Sequence, residues 1–462
     1  MKYIFKSNIF WLTLLIILHI YLLMQLVFFP YPELFVYSHL TQHGLIPYKE
    51  IFDQHFPGLM FFPINLSSLG FTDLTSMRIL HFVLTILSDV FIYIAAKFVF
   101  KRKFTPLAIL MFYIIWQIYY EGHVLWIESF VTPMLLLSFI LLLKYIQNTK
   151  YHYLIVSSLL LSIATIFKQT TLPLAILFLM FTLIKLKNFK KVLILSLIYA
   201  TPLVLMLIYF ASLNALRDLI YWTYTFNISI FSQMGRTHPK LLDLFRLLPV
   251  FGICAWFSLF SLFKKANSTF VITFIFFIGS LFYSYARFDL VHLQPALPFA
   301  VLIIFQAVDK IKINNKIIAV ALTLYSLYSY RIFKANFNFY NRPGLVPMFN
   351  DTETLEIKRF FSSIPEDFTV FGLGTYPHIY YLLDKIPPGN VFVFQFPWFM
   401  KIAESKILKG VEDFPPDYVI RNESATVGGY KLIEYMQNIN SYVDSNYLLV
   451  TRIGDNEILK KL

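Results

Sequence analysis

Long apolar stretches separated by short polar connections fill the first three quarters of the chain. Several approach the roughly 20 residues that an α-helix needs to cross the core of a bilayer. The stretches are continuously apolar rather than alternating with polar residues, which predicts helices and argues against a membrane β-barrel. The pattern predicts about eleven transmembrane helices, which cover residues 9–29, 74–96, 104–120, 129–143, 153–167, 171–184, 192–213, 247–263, 270–285, 293–307 and 317–330.

The composition agrees with a helical membrane protein. Of the 462 residues, 58% are hydrophobic and only 14% are charged, which is more apolar surface than a water-soluble domain needs. The net charge of +13 would suggest nucleic acid in a soluble protein, but here basic residues orient the helices, so no nucleic-acid partner is predicted. The single cysteine, Cys254, lies in an apolar stretch and argues against disulfides, cysteine zinc sites and thiol catalysis.

Basic clusters fall at alternate connections and mark the cytoplasmic face by the positive-inside rule. The protein is therefore predicted to be a multi-pass protein of the plasma (inner) membrane with a cytoplasmic N-terminus. The first apolar stretch is too long for a signal peptide and predicts a retained helix. The clusters comprise Lys2, Lys6, residues 101–103, Lys144, Lys150, the lysines of residues 185–191, Lys264, Lys265, Lys310, Lys312 and Lys316.

The opposite face is predicted to carry the polar connections and a C-terminal domain. A transmembrane domain over residues 1–340 would include a first outer loop at residues 30–73. Residues 341–462 alternate between helical and strand patterns, which predicts a small extracytoplasmic α/β domain. Its predicted helices are 351–363, 379–383, 399–409 and 430–443, and its predicted strands are 368–371, 391–394, 418–420 and 448–453.

Acidic and basic side chains collect at the outer ends of the predicted helices. Glu33 follows the stiff Pro30-Tyr-Pro32 turn and is a candidate general base. Glu128 is a second candidate, although a carboxylate at a helix N-terminus is also favoured by the helix dipole. Lys168 and Arg287 are candidates for binding a phosphate. A lone lysine at a helix end, however, often only extends its side chain so that the ammonium group lies in the polar region at the membrane surface.

Metal and nucleotide motifs are weak in this sequence. Asp53 and His55 could form a metal pair, but a single Asp-Gln-His in a loop more often has a local structural role. Gly372-Leu-Gly374 lacks the third glycine of a dinucleotide motif and predicts a tight turn. We find no phosphate-binding loop of the Walker type and no Gly-x-Ser-x-Gly elbow. No metal and no cofactor are therefore predicted.

Four features together resemble the GT-C glycosyltransferases, in the branch of protein mannosyltransferases and aminoarabinose transferases (glycosyltransferase family 39). They are the acid Glu33 opening the first outer loop, the pattern Gly44-x-x-Pro47-Tyr48-x-x-x-Phe52-Asp53-x-x-x-Pro57-Gly58, the Lys168-Gln169 turn, and the run Arg287-x-Asp289-x-x-His292-x-x-Pro295-x-x-Pro298. The family often has Asp-Glu where this chain has Pro32-Glu33.

The resemblance implies an inverting transfer of a hexose or pentose from a polyprenyl-phosphate carrier to an extracytoplasmic glycan, lipid or protein. Glu33 would be the base, with Glu128 sharing or taking the role. The residues expected to contact substrate are Lys168, Gln169, Arg287, His292, Tyr48, Asp53 and His55.

Two other classes of function remain open from the sequence. A transporter or flippase of lipid-linked saccharides would place charges along a path through the membrane, and Asp89 and Lys97 are the main candidates for such charges. A non-catalytic membrane scaffold is the third possibility. The sequence identifies neither the sugar nor the acceptor.

Overall fold

The computed structural model describes residues 8–263, 267–310 and 351–462, together with a few isolated positions between 325 and 334. The chain forms two compact units. Unit 1 comprises Met1–Pro30, Leu74–Leu205 and Thr237–Leu345, and unit 2 comprises Tyr31–Asp73, Met206–Arg236 and Val346–Leu462. The boundary predicted near residue 341 stays a prediction, because residues 335–350 lie outside the described part of the chain.

Apolar helices make up most of unit 1, which confirms the predicted polytopic helical class. Among the residues that the structure describes, five segments are long and apolar enough to cross a membrane: Leu74–Val99, Ile127–Asn148, Gln169–Leu186, Phe189–Ser212 and Leu241–Leu259. Five further apolar helical segments within the same described ranges are shorter: Asn8–Met24, Thr105–Tyr119, His152–Phe167, Ser268–Ser284 and Leu297–Asp309. Together they match ten of the predicted helices, and the eleventh, at residues 317–330, lies mostly outside the described residues.

Unit 1 contains one close helix contact at a glycine and one short backbone pairing. A Cβ added at Gly279 would lie 2.6 Å from the Leu174 Cβ atom and 2.8 Å from the Leu174 Cα atom, so only glycine allows this approach of the two helices. Phe29–Pro30 pairs in parallel with Val124–Leu125. This pairing fixes the chain just before the helix Ile127–Asn148, which carries Glu128.

The segment predicted as the first outer loop contains a helix, Glu33–Gln42, within unit 2. Pro32 occupies its N-cap position and Glu33 its first turn. A fixed proline φ and an acidic first turn both favour a helix start. The helix ends before Gly44, whose φ of +89° is readily adopted only by glycine.

The C-terminal part of unit 2 contains a four-stranded sheet in the order Val370–Leu373, Tyr418–Arg421, Asn456–Lys461 and Tyr447–Ile453. The first pair is parallel and the other two pairs are antiparallel. Val370, Leu373, Val419, Ile420 and Ile458 are fully buried and form part of its core. The accompanying helices are Thr352–Ser362, Ile379–Leu383, Pro397–Asp413, Leu432–Tyr435 and Gln437–Asn446.

Two predicted elements of this domain differ from the structure, and one strand is missing from the prediction. The strand predicted at residues 391–394 lies outside the four-stranded sheet, since Phe392–Val393 pairs with Ile51–Phe52. The helix predicted at residues 430–443 breaks at Met436, whose φ of −130° is not helical. The last strand, Asn456–Lys461, was not predicted from the sequence.

Candidate functional site

Three buried polar side chains, a carboxylate, an ammonium group and an imidazole, meet near helix ends in unit 1. Glu128 lies in the first turn of the helix Ile127–Asn148 and is fully buried. Lys168 follows the last residue of the helix His152–Phe167. Its extended backbone, with φ −154° and ψ 120°, ends that helix and starts the turn Gln169–Thr171.

The side chains of Lys168 and His292 converge on one oxygen of Glu128. The Lys168 Nζ atom donates to the Glu128 Oε1 atom, and the His292 Nδ1 atom lies 2.8 Å from the same oxygen. The two nitrogens are 3.4 Å apart. We call Glu128, Lys168 and His292 the ionic cluster.

Backbone contacts hold the members of the ionic cluster in place. The Lys168 carbonyl oxygen accepts hydrogen bonds from the backbone N–H and the hydroxyl of Thr171, at 3.0 and 2.9 Å. The His292 backbone N–H donates to the Asp289 Oδ1 atom at 3.2 Å. Glu121 accepts from the backbone N–H of Val291 at 3.1 Å. The turn that carries His292 is therefore anchored at the histidine and at the residue before it.

The ionic cluster has one oxygen without a hydrogen bond. The Glu128 Oε2 atom is buried and accepts none from the residues that the structure describes. A buried carboxylate is tolerated only when charged donors compensate for its lost hydration, and Lys168 and His292 do so on one side only. The side chains of Lys168 and His292 are themselves more than nine-tenths buried. With Glu128 and Lys168 charged the cluster is electrically neutral, and protonation of His292 would add one positive charge, which in a low-dielectric environment acts strongly on an anion.

Two other predicted substrate contacts of unit 1, Arg287 and Gln169, are more exposed than the ionic cluster. Arg287 is exposed, and its backbone forms an isolated β-bridge with Thr237. Gln169 is half-buried in the first position of the turn after Lys168. Of the predicted site residues in unit 1, the structure therefore brings together Glu128, Lys168 and His292.

A second group of predicted residues lies in unit 2 around Asp53, whose side chain is only 5% exposed. Asp53 accepts hydrogen bonds from the Tyr37 hydroxyl at 2.7 Å and from the His55 backbone N–H at 2.6 Å. The His55 Nδ1 atom lies 3.0 Å from Asp53 Oδ1, and the Tyr48 hydroxyl donates to the His55 carbonyl at 2.7 Å. Each oxygen of Asp53 therefore accepts at least one hydrogen bond from this segment of unit 2.

Glu33 is also part of unit 2 and is 9% exposed. It occupies the first turn of the helix that carries Tyr37 one turn later. Burial raises the pKa of the Tyr37 hydroxyl well above its usual range, and the charges of Asp53 and Glu33 raise it further. Tyr37 therefore stays protonated and can donate to Asp53 at any physiological pH.

One polar network in unit 1 was only partly anticipated from the sequence. Asp89 was noted as a charge inside an apolar stretch, but its partners were not predicted. The His19 Nδ1 atom lies 2.8 Å from Asp89 Oδ2, and the His19 Nε2 atom lies 2.8 Å from Gln117 Oε1. In the sequence, the only indication of this network was a charged residue, Asp89, inside a predicted transmembrane helix. Lys97 lies near the end of its helix, with Nζ 5.7 Å from the Tyr93 ring centroid.

Comparison with known proteins identifies the fold. Residues 57–214 match the profile of the dolichyl-phosphate-mannose-protein mannosyltransferase family. The crystal structure of ArnT from Cupriavidus metallidurans bound to undecaprenyl phosphate superposes with a TM-score of 0.65 at 10% identity, covering 98% of each chain. The chain has the fold of the GT-C glycosyltransferases. This confirms the resemblance expected from the sequence.

Two further structures share the GT-C fold with this chain. The apo structure of ArnT from the same organism gives a TM-score of 0.61 at 10% identity. The cryo-EM structure of the arabinofuranosyltransferase AftD from Mycobacteria gives 0.53 at 10% identity, covering 97% of this chain and 41% of AftD. No curated protein sequence matches the chain significantly.

Proposed function

We propose that this protein is a membrane glycosyltransferase that takes a sugar from a polyprenyl-phosphate donor and transfers it to an acceptor outside the cytoplasm. The observation that carries the proposal is the buried ionic cluster at helix ends of a GT-C fold. The solved ArnT structure with undecaprenyl phosphate supports this class of donor. A hexose and a pentose are both compatible with these observations.

The proposed reaction is a substitution at the anomeric carbon with inversion. The acceptor hydroxyl oxygen attacks that carbon while a carboxylate takes the hydroxyl proton. The bond between the carbon and the phosphate oxygen breaks, and its electron pair stays on the departing polyprenyl phosphate. Charged donors that stabilise this developing negative charge lower the barrier.

Lys168 and His292 are proposed to hold the phosphate. Both are cationic donors when His292 is protonated, and both are held in place by Glu128 and by the backbone. Arg287, exposed on the same turn region, is proposed to add a bidentate contact. Gln169, Tyr48, Asp53 and His55 remain proposed substrate contacts.

Glu33 is proposed as the general base. Its position in the first turn of a helix gives it a defined backbone, and its side chain is largely buried. A positioned base contributes roughly 10²–10⁴ to a rate. Glu33→Gln is therefore expected to lose at least about 100-fold in transfer while the protein remains folded.

The test uses purified full-length protein in detergent with a panel of polyprenyl-phosphate sugars and a membrane extract as the acceptor source. One donor is expected to be consumed with release of polyprenyl phosphate. Glu33→Gln and Arg287→Ala are each expected to abolish this consumption. Glu50→Gln, a carboxylate in the same segment that accepts from the Ile46 backbone N–H, is the matched control for Glu33. Full activity in both Glu33→Gln and Arg287→Ala would refute the assignment.

The transporter alternative receives less support from the membrane helices. A transport path needs charges that bind and release a substrate. Asp89 instead contacts His19, and His19 contacts Gln117, which is the arrangement of a structural network. A donor that crosses the membrane unchanged, with no release of polyprenyl phosphate, would favour transport over transfer.

A further inference from the structure

Two histidines and one aspartate of unit 2 form a cluster outside the proposed reaction. His39 lies in the last turn of the helix Glu33–Gln42, and His43 is the residue that caps it. Residues four apart on a helix lie on one face, and the two imidazole centroids are 4.3 Å apart. Asp384 follows the helix Ile379–Leu383. One donor atom from each residue lies within 4.8 Å of the other two.

Backbone carbonyls determine which imidazole nitrogen carries the proton. The His39 Nε2 atom lies 3.0 Å from the Lys385 carbonyl oxygen, and the His43 Nδ1 atom lies 2.9 Å from the His39 carbonyl oxygen. A carbonyl oxygen can only accept, so both of these nitrogens must be N–H donors. In the neutral rings, the lone pairs are therefore on His39 Nδ1 and His43 Nε2.

Both lone pairs face the same carboxylate oxygen. The Asp384 Oδ1 atom lies 3.9 Å from His39 Nδ1 and 3.5 Å from His43 Nε2. Three electron-rich atoms thus converge with no hydrogen between them when the imidazoles are neutral. Such an arrangement is repulsive unless a histidine is protonated or a metal cation occupies the space between the three atoms.

We propose that His39 Nδ1, His43 Nε2 and Asp384 Oδ1 bind a zinc-class divalent cation. Two ligands of tetrahedral zinc are about 3.3 Å apart when each bond is about 2.0–2.1 Å. The separations of 3.5 and 3.9 Å between Asp384 Oδ1 and the two histidine nitrogens are close to this value, and Asp384, whose side chain is 83% exposed, can rotate toward them. Histidine ligands of zinc usually donate their second ring N–H to a carbonyl or carboxylate, as both histidines do here.

The proposed metal would connect two parts of unit 2 that are far apart in the sequence. It would tie the C-terminal end of the helix Glu33–Gln42 to the turn after Ile379–Leu383. The exposed His43 and Asp384 leave a coordination position that water can fill. The role proposed for the metal is to hold these two segments together, and it is independent of the proposed transfer reaction.

The test measures zinc binding to the full-length protein in detergent, purified with a tag that contains no histidine and then stripped with a chelator. Isothermal titration with Zn²⁺ is expected to show one site per chain. Titration with Co²⁺ is expected to produce visible absorption bands from nitrogen and oxygen ligands. His43→Ala and Asp384→Ala should each weaken Zn²⁺ binding at least about tenfold, whereas His238→Ala, an exposed histidine of unit 1, should bind like wild type.

The same variants separate a metal site from a simple ion pair between protonated histidine and aspartate. Zinc should raise the melting temperature of the stripped wild type and leave that of Asp384→Ala unchanged. The proposal is overturned if wild type binds less than about one tenth of an equivalent of zinc. It is equally overturned if either His43→Ala or Asp384→Ala keeps wild-type affinity.

Discussion

Replacing Lys168 by methionine removes one cation from the ionic cluster while keeping most of the side-chain volume. Glu128 would then stay fully buried with His292 as its remaining partner, 2.8 Å away. Removing one partner from a buried ion pair costs about 3–5 kcal/mol, because the other charge is left uncompensated. Lys168→Met is expected to be destabilised by that amount. Glu128→Gln is expected to cost a similar amount, because it leaves Lys168 without its carboxylate.

The double variant Lys168→Met/Glu128→Gln separates the cost of an unpaired charge from the value of the pair. Replacing both charges together is often nearly neutral, since neither ion has to be desolvated. The amide oxygen that the Glu128→Gln change introduces would still accept from His292. We therefore expect the double variant to lie within about 2 kcal/mol of wild type, well below the sum of the single changes.

The assay is equilibrium unfolding in mixed micelles, with the free energy of unfolding as the readout. Lys144→Met is the control, because Lys144 lies in the same helix as Glu128, 5.9 Å from the centroids of the Phe98 and Tyr153 rings. Loss of such cation–π contacts costs only about 0.5–1 kcal/mol at a partly exposed position. Wild-type stability in Lys168→Met, or additive losses in the double variant, would refute the reasoning.

Three further changes test packing and loop structure elsewhere. Gly279→Ala should cost about 1–3 kcal/mol, seen as a lower melting temperature in detergent, because the new Cβ overlaps Leu174. Asp417→Asn should destabilise the C-terminal sheet domain at pH 7, as measured by hydrogen exchange. Burial opposes ionisation of Asp417, but hydrogen bonds from Thr369 lower its pKa. Asp53→Asn should cost about 1–3 kcal/mol and increase proteolysis of the 45–60 segment, because an amide NH₂ replaces one acceptor oxygen.

The sign of the pH effect at Asp417 provides an internal control. A carboxyl whose pKa is lowered by folding contributes stability above its unfolded pKa of about 3.9, and the contribution is lost as the pH falls. The difference between wild type and Asp417→Asn should therefore shrink below about pH 4. Asp413→Asn, at an exposed position nearby in sequence, should show no such difference.

An unchanged melting temperature in Gly279→Ala, or unchanged proteolysis in Asp53→Asn, would contradict the packing described for these two positions.

Sequence periodicity predicted the apolar helices well because length and hydropathy are local properties. The helix predicted at residues 379–383 matches Ile379–Leu383, and the predicted 153–167 helix begins one residue late relative to His152–Phe167. The helix Glu33–Gln42 was missed because its polar residues suggested an irregular loop. Its start lies at Pro32 and Glu33, and the Pro30-Tyr-Pro32 run favours a turn as readily as a helix start.

Contacts between distant residues could not be predicted from one sequence. Glu128, Lys168 and His292 were each identified as candidates, but Lys168 lies 40 residues from Glu128 and 124 from His292 along the chain. No local pattern specifies which of these side chains meet. The proposed metal ligand Asp384 is also far from His39 in the sequence. The pairing of Phe392–Val393 with Ile51–Phe52 was missed for the same reason.

The contacts of Glu128 argue for a positioning role rather than for the role of base. A base must present a free lone pair to the acceptor hydroxyl, but the Oε1 atom of Glu128 already contacts Lys168 and His292. Its other oxygen is enclosed in protein. If Glu128 orients the two phosphate-binding cations, Glu128→Gln should raise KM for the donor more than it lowers kcat. If Glu33 is the base, Glu33→Gln should lower kcat with little change in KM. The reverse pattern would assign the proton transfer to Glu128.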